Sequence, residues 1–401
     1  MIGAFTGLLR SLGGRAHLAP TFLLLSLLPP AWAAVAVADG PGEIIVQPAN
    51  GVTVDQINAK YGTTTLLKLT DSTQALLLSA TVSATRAAMA ADTANVAWVE
   101  PNATASEPRA RTMDSDSGAD PYSMSIVLLN GSGQYGSQWG IARATFDLAQ
   151  QEARGKGVVI AVLDTKIDTS HPALAGRTQS GIDLVSSDPL VNVVTVGRSS
   201  GHGTFVAGVA LLAAPASKVL PVRVLNEDGF GSVATVAEGI RRTAAGGVGV
   251  INMSLGTSTR SQTLEDAVNY ARKRGIVMSA AYGNEGQNSP AVYPADSRGV
   301  LSVVATDQQD KRASFSNYGR AASVAAPGVG VVGPYVSGQY AVGSGTSFSA
   351  AWVSGQAALL ISEGGGSSAA SQIVSTADNI DAANGGTKLG FGRINAARSL
   401  K

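Results

Sequence analysis

Apolar and polar residues alternate along this chain in two different rhythms. Between Glu43 and Glu100 the elements are short. Glu43 to Gln47 reads as a strand, and Val54, Ile57 and Tyr61 recur at helical spacing. Leu66 to Leu69 and Ala75 to Ser79 read as strands on either side of an Asp71-Ser72 turn. An Ala-rich helix over Ser83 to Ala91 and a strand over Val96 to Glu100 follow. The order β-α-β-β-α-β is the split βαβ arrangement of small α+β domains. Periodicity then fades over 103–136, a stretch rich in Ser, Asp, Ala and Gly with Arg109 and Arg111 in it. Such a stretch reads as an exposed linker, where proteolytic nicking concentrates.

Beyond it the rhythm is longer. Val158 to Leu163, Val219 to Leu225, Val248 to Met253 and Gly275 to Ala281 are nearly continuous apolar runs, as in strands buried on both faces. Helices are predicted between them, over Phe205 to Leu212, over Ala234 to Ala244, and where Leu264, Val268 and Ala271 share one face. Strands alternating with helices predict an α/β domain with a mainly parallel sheet. Functional residues of such sheets gather at the carboxyl ends of strands. Asp164 directly follows Leu163, and Ser254-Leu255-Gly256 and Gly283-Asn284 take matching places after two other strands.

The first residues follow a third pattern. Arg10 and Arg15 precede an apolar run from Leu18 to Leu28, Pro29-Pro30 ends it, and small-residue cleavage patterns lie between Ala31 and Ala38. This is the layout of a secretory signal peptide, and the run is too short to cross about 30 Å of hydrocarbon. The chain therefore divides into a signal peptide (1–38), a small domain (39–102), a linker or processing region (103–136) and a large α/β domain (137–401). A net charge of +1 without blocks of like charge argues against nucleic acid or a membrane surface as partner. The chain has no Cys, so disulfides and thiol catalysis are excluded.

Three segments then carry chemistry in the order Asp, His, Ser: Asp164-Thr165-Lys166-Ile167-Asp168, Gly201-His202-Gly203-Thr204 and Gly345-Thr346-Ser347-Phe348-Ser349. They supply an acid, an imidazole and a hydroxyl. The order differs from that of α/β-hydrolases and of chymotrypsin-like enzymes. Of the three His, His17 lies in the signal peptide and His171 in a loop before Pro172, whereas His202 opens an apolar helix between glycines. Asp168 reads as a turn-capping residue. Ser347 precedes an apolar run to Ile361, which places it at a helix start, where backbone N–H groups favour developing negative charge.

On these segments the chain resembles the subtilisin-like serine peptidases. Asn284 in Ala281-Tyr282-Gly283-Asn284-Glu285-Gly286, Gln138-Trp139-Gly140 at the start of the large domain, and the Gly390 to Ala396 stretch extend the likeness. The resemblance implies a three-layer subtilisin-like domain preceded by a ferredoxin-like propeptide that acts as intramolecular inhibitor. It implies a secreted (extracellular or periplasmic), monomeric serine endopeptidase made as a zymogen and acting on polypeptides. It assigns Asp164, His202 and Ser347 as the triad and Asn284 to the oxyanion. It makes Gly229-Phe230-Gly231 and Ser254-Leu255-Gly256 the segments that bind substrate as added strands, with Val292 near the base of the first specificity pocket.

Three departures from the family bear on function. Lys166 stands where Gly is usual, and it would be strained at positive φ. Ala351-Trp352 replaces the usual Pro in the Ser helix. The loop that interrupts the His helix in calcium-binding relatives is missing after Gly208, and Ala173 replaces the acidic ligand that often follows His171-Pro172. No cofactor is required on this reading, and the usual tight calcium site is expected to be absent, leaving a weak site near Asp307 and Asp310 as the remaining option. The alternatives are a catalytically impaired, protease-shaped binding protein, for which Lys166 is the support, and a hydrolase with notable ester or polyester activity.

Overall fold

Continuous apolar runs become a seven-stranded parallel sheet in the computed structural model, which describes residues 42–79, 81–108, 126–185 and 199–401. The signal peptide and the middle of the processing region lie outside the described residues. The strand order is Val324–Pro327, Val300–Thr306, Val277–Ala281, Val250–Met253, Val159–Asp164, Lys218–Arg223, Ile182–Asp183, parallel throughout. Successive strand residues face opposite sides. Ile160 and Val162 join one apolar cluster with the helices His202–Ala213 and Thr346–Ser362. Ala161 and Leu163 join another with the helices Val233–Ala245 and Gln262–Lys273. The result is a three-layer α/β/α domain. Ser232 and Ser261 cap the second pair of helices, each accepting a hydrogen bond from the backbone N–H three residues on.

Residues 43–101 form a four-stranded antiparallel sheet in the order Thr64–Lys68, Ala75–Leu78, Glu43–Pro48, Val96–Pro101. The helices Val54–Tyr61 and Val82–Ala91 cover one face, where Ile44, Val46, Ile57, Leu77 and Met89 are buried together. The other face meets the large domain: Ile45 and Leu76 share a cluster with the helices Val233–Ala245 and Gln262–Lys273. Polar contacts fix this seam. Glu238 accepts from the Thr70 backbone N–H (2.7 Å) and hydroxyl (2.8 Å), and Gln74 donates to Asp266 (2.7 Å). The Glu100 carboxylate accepts from Ser261 Oγ (2.7 Å) and from the backbone N–H groups of Gln262 (2.9 Å) and Thr263 (3.1 Å), at the start of a helix.

The region read as an exposed linker or processing region, 103–136, carries a strand at each of its described ends. Thr104–Ser106 pairs antiparallel with Phe230–Ser232, and Val127–Leu129 with Tyr340–Gly343. Both pairings join residues more than a hundred positions apart, so no local pattern announces them.

Candidate active site

Asp164 ends the central strand, and His202 opens the helix that packs beside it. Both are fully buried. His202 Nδ1–H donates to Asp164 Oδ1 at 2.7 Å, and the same oxygen accepts from the Thr165 backbone N–H at 2.7 Å. This fixes the proton on Nδ1 and leaves Nε2 as the basic nitrogen. A glycine is needed after the histidine: a Cβ on Gly203 would lie 2.6 Å from the Thr165 carbonyl and 3.2 Å from Asp164 Oδ1. Tyr335 packs on Gly201, and burial pushes its phenol up, with the nearby Glu107 carboxylate adding to the effect, so it stays neutral.

Ser347 is the second residue of the helix Thr346–Ser362 and is also fully buried. Its carbonyl accepts from Ser254 Oγ at 2.9 Å. Ser254 in turn accepts from Asn252 Nδ2 at 2.9 Å, and Asn252 Oδ1 accepts from Ser354 at 2.9 Å. This chain ties the helix start to the end of the strand Val250–Met253. The next residue, Phe348, lies with its ring 6.1 Å from the His202 imidazole.

Asn284 follows the strand Val277–Ala281. Its Oδ1 accepts from the Thr346 backbone N–H (3.0 Å) and hydroxyl (2.8 Å), which turns its Nδ2 outward. Thr346 Oγ1 also accepts from the Gly283 backbone N–H at 3.2 Å. The outward Nδ2 donates to the carbonyl oxygen of Pro108 at 3.0 Å.

That carbonyl belongs to a segment laid across the site as an added strand. Ser106 exchanges two hydrogen bonds with Gly256, at 2.9 and 2.7 Å, and the Glu107 N–H donates to the Gly229 carbonyl at 3.1 Å. Phe230–Ser232 lines the other edge. Ala105 is buried in the same apolar cluster as Leu225 and Leu255, and Pro108 is buried at the end of the strand. Val292 closes on this region: a Cβ on Gly256 would lie 2.9 Å from Val292 Cγ1. The structure thus brings together Asp164, His202, Ser347, Asn284, Gly229, Gly231, Ser254, Leu255, Gly256 and Val292.

Other candidates fall outside this site. His171 is buried in a loop, its Nε2–H donating to the Gln339 carbonyl (2.8 Å) and its Nδ1 accepting from the Ala173 N–H (3.0 Å). Asp168 accepts from the backbone N–H groups of Ser170 (3.1 Å) and Ser337 (3.0 Å), a loop-fixing role. Lys166 is not among the described residues at positive φ, so the strain raised by its replacement of glycine does not arise. The helix His202–Ala213 is uninterrupted, so its residues do not fit the family's calcium loop. The Asp310 carboxylate is held by Arg143 Nε (2.9 Å) and Arg393 Nη1 (2.7 Å), and Asp307 Oδ1 by the N–H groups of Gln309 and Lys311 (2.9 Å each). Two guanidinium groups on Asp310 disfavour a cation there. Thr346 and Thr165 are the site residues that sequence reading passed over. Each stands beside a candidate catalytic residue, and only its hydrogen bonds reveal its part.

Residues 155–392 match the subtilase family, peptidase S8. Thermitase of Thermoactinomyces vulgaris is 39% identical over 281 residues, which cover 67% of this chain and 96% of thermitase. Subtilisin BL of Lederbergia lenta is 40% identical over 232 residues, 55% of this chain and 83% of its own. The crystal structure of fervidolysin from Fervidobacterium pennivorans, a keratinolytic enzyme related to subtilisin, shares the fold. Its TM-score is 0.70 at 23% identity, over 90% of this chain and 60% of fervidolysin. The family match spans the strand that ends at Asp164, the helix of His202 and the helix of Ser347, and the chain belongs to the subtilase family of serine endopeptidases.

Proposed function

We propose that this chain is a secreted serine endopeptidase made as a precursor, with Asp164, His202 and Ser347 as its triad, and that it first cuts its own Pro108–Arg109 bond. The observation that carries this reading is the Pro108 carbonyl, held 3.0 Å from Asn284 Nδ2 at the end of a strand seated between Gly229–Ser232 and Gly256. A carbonyl so placed is a substrate carbonyl in the oxyanion position. The boundary of the leader then falls after residue 108, inside the processing region and six residues beyond the boundary expected at 102.

The chemistry follows from the groups present. His202 Nε2 takes the Ser347 hydroxyl proton as Oγ attacks the Pro108 carbonyl carbon, while Asp164 stabilises the imidazolium through Nδ1. The charge that develops on oxygen is met by Asn284 Nδ2 and the Ser347 backbone N–H. An asparagine in this role is worth about 10²–10³ in turnover, the magnitude known for subtilisin itself. The imidazolium then protonates the leaving nitrogen, and water, activated by the same imidazole, hydrolyses the acyl-enzyme. Main-chain pairing along the cleft suits many polypeptides. The cut leader, still seated on the helices Val233–Ala245 and Gln262–Lys273, would inhibit until removed. Val292 against Gly256 shortens the first pocket, in keeping with Pro108 as its occupant and with a preference for small or medium apolar side chains. The signal-peptide pattern supports export, and no helix among the described residues is long and apolar enough to cross a membrane.

The full-length chain tests this directly. Wild type should yield a first product whose new N-terminus is Arg109, and Ser347→Ala should stay uncut and leave casein intact. His202→Ala should cost about as much, because the triad acts as a unit. Substantial casein hydrolysis by purified Ser347→Ala protein would overturn the assignment, and a mature N-terminus before Arg109 would overturn the cleavage position.

A further inference from the structure

Glu107, the residue before the proposed acyl residue Pro108, is only 3% exposed. A carboxylate is costly to bury unless bonded or paired. Its Oε1 accepts a hydrogen bond from the hydroxyl of Ser199, itself 1% exposed, and its Oε2 lies 3.7 Å from His202 Nδ1. The side chain fits because residue 229 is glycine: a Cβ there would come within 2.7 Å of the Glu107 carboxyl carbon and 2.8 Å of Ser199 Oγ. Ser199 is fixed in turn. Its N–H donates to the Glu227 carbonyl (2.9 Å), and its carbonyl accepts from the His202 N–H (3.0 Å) and from Thr165 Oγ1 (3.2 Å).

We propose that Ser199, Gly229 and His202 form a subsite that selects substrates with glutamate immediately before the residue whose carbonyl is attacked. The inference rests on the peptidase reading above and specifies its substrates. Two contributions are separable. The Ser199 hydrogen bond holds the side chain in the bound substrate and in the transition state alike, so it acts through binding. The carboxylate acts more strongly when His202 takes the Ser347 proton, because the imidazolium then gains a second negative neighbour beside Asp164. An interaction that grows in the transition state raises turnover.

The test uses enzyme obtained from the full-length chain and the peptides Thr-Ala-Ser-Xaa-Pro-Arg-Ala, with Xaa as Glu, Gln, Ala or Lys. Wild type should show kcat/KM for Glu about tenfold above Ala, the scale of a charge-assisted hydrogen bond, with Gln between and Lys lowest. The Glu-to-Gln loss should fall mainly in kcat. Ser199→Ala should shrink the Glu-to-Ala ratio through a higher KM for the Glu peptide. In the intact precursor, Glu107→Ala should slow self-cleavage by a similar factor. Casein hydrolysis combined with peptides cleaved equally or not at all would overturn the subsite and leave the peptidase reading standing. So would a Glu preference that Ser199→Ala leaves unchanged. Failure on casein and on every peptide would overturn the peptidase reading and this inference with it.

Discussion

Thr346 shows how much of an active site a single hydroxyl can organise. It donates to Asn284 Oδ1 at 2.8 Å, beside the Thr346 backbone N–H at 3.0 Å, and accepts from the Gly283 N–H at 3.2 Å, so it helps set which end of the Asn284 amide faces the Pro108 carbonyl. Thr346→Val keeps the shape and removes both bonds. We expect kcat to fall about tenfold with KM little changed, because the proposed oxyanion contact matters most in the transition state. Thr346→Ser should recover most of the loss. Steady-state kinetics on one peptide checks both, and an unchanged kcat in Thr346→Val would show that Asn284 is oriented without it. The proposed site residues are legible because each stands beside a glycine or in a short polar motif at a strand or helix end: Asp164 after Leu163, His202 between Gly201 and Gly203, Asn284 after Gly283. Thr346 is not, since threonine in Gly345-Thr346-Ser347 is equally at home as a plain first-turn residue. Lys166 illustrates the reverse case. A lysine in place of the usual glycine would be strained at positive φ, but the residue does not adopt that angle.

The junction between the small domain and the helix Gln262–Lys273 depends on one element terminus. The first N–H groups of a helix lack intrahelical partners, and a carboxylate there meets both those donors and the helix dipole. Glu100 supplies it from the closing strand of the small domain, taking hydrogen bonds from Ser261 Oγ and from the N–H groups of Gln262 and Thr263. Glu100→Ala in the uncut Ser347→Ala chain leaves these donors to water. This should weaken the seam by about 2 kcal/mol, the scale of hydrogen bonds to a charged group. Hydrogen exchange over residues 43–101 should quicken accordingly. Unchanged exchange would mean that the apolar contacts of Ile45 and Leu76 hold the seam alone. At this scale the sequence exposed four of the seven parallel strands, within Val158–Leu163, Val219–Leu225, Val248–Met253 and Gly275–Ala281, because each is an apolar run beside a helical period; Ile182–Asp183, Val300–Thr306 and Val324–Pro327 were not read. It hid Thr104–Ser106 and Val127–Leu129, whose strand character comes only from partners at Phe230–Ser232 and Tyr340–Gly343.

Across the whole molecule, no disulfide contributes to stability, since the chain has no cysteine. Calcium-binding relatives add a metal where a loop interrupts the His helix. Here the helix His202–Ala213 runs unbroken, Ala173 takes the acidic position, and among the described residues no group of three or more His, Cys, Asp or Glu is placed to hold a metal. Arginines tie the C-terminal region. Asp310 takes Arg143 and Arg393, and Asp378 takes Arg393 and Arg398. The carboxylate of Asp310 and the guanidinium of Arg393 are 8% and 9% exposed, so this pair is little screened by solvent. Removing one partner of a buried pair strands the other and costs about 3–5 kcal/mol. Two outcomes are therefore expected from thermal inactivation curves of the active enzyme. A calcium chelator should leave the inactivation temperature and the activity nearly unchanged, because the usual ligand set is missing. Asp310→Ala should lower the inactivation temperature markedly, by leaving Arg393 buried without this carboxylate and Arg143 without its partner. Strong inactivation by chelator that added Ca²⁺ reverses would show that a metal, rather than this arginine cluster, holds the fold together.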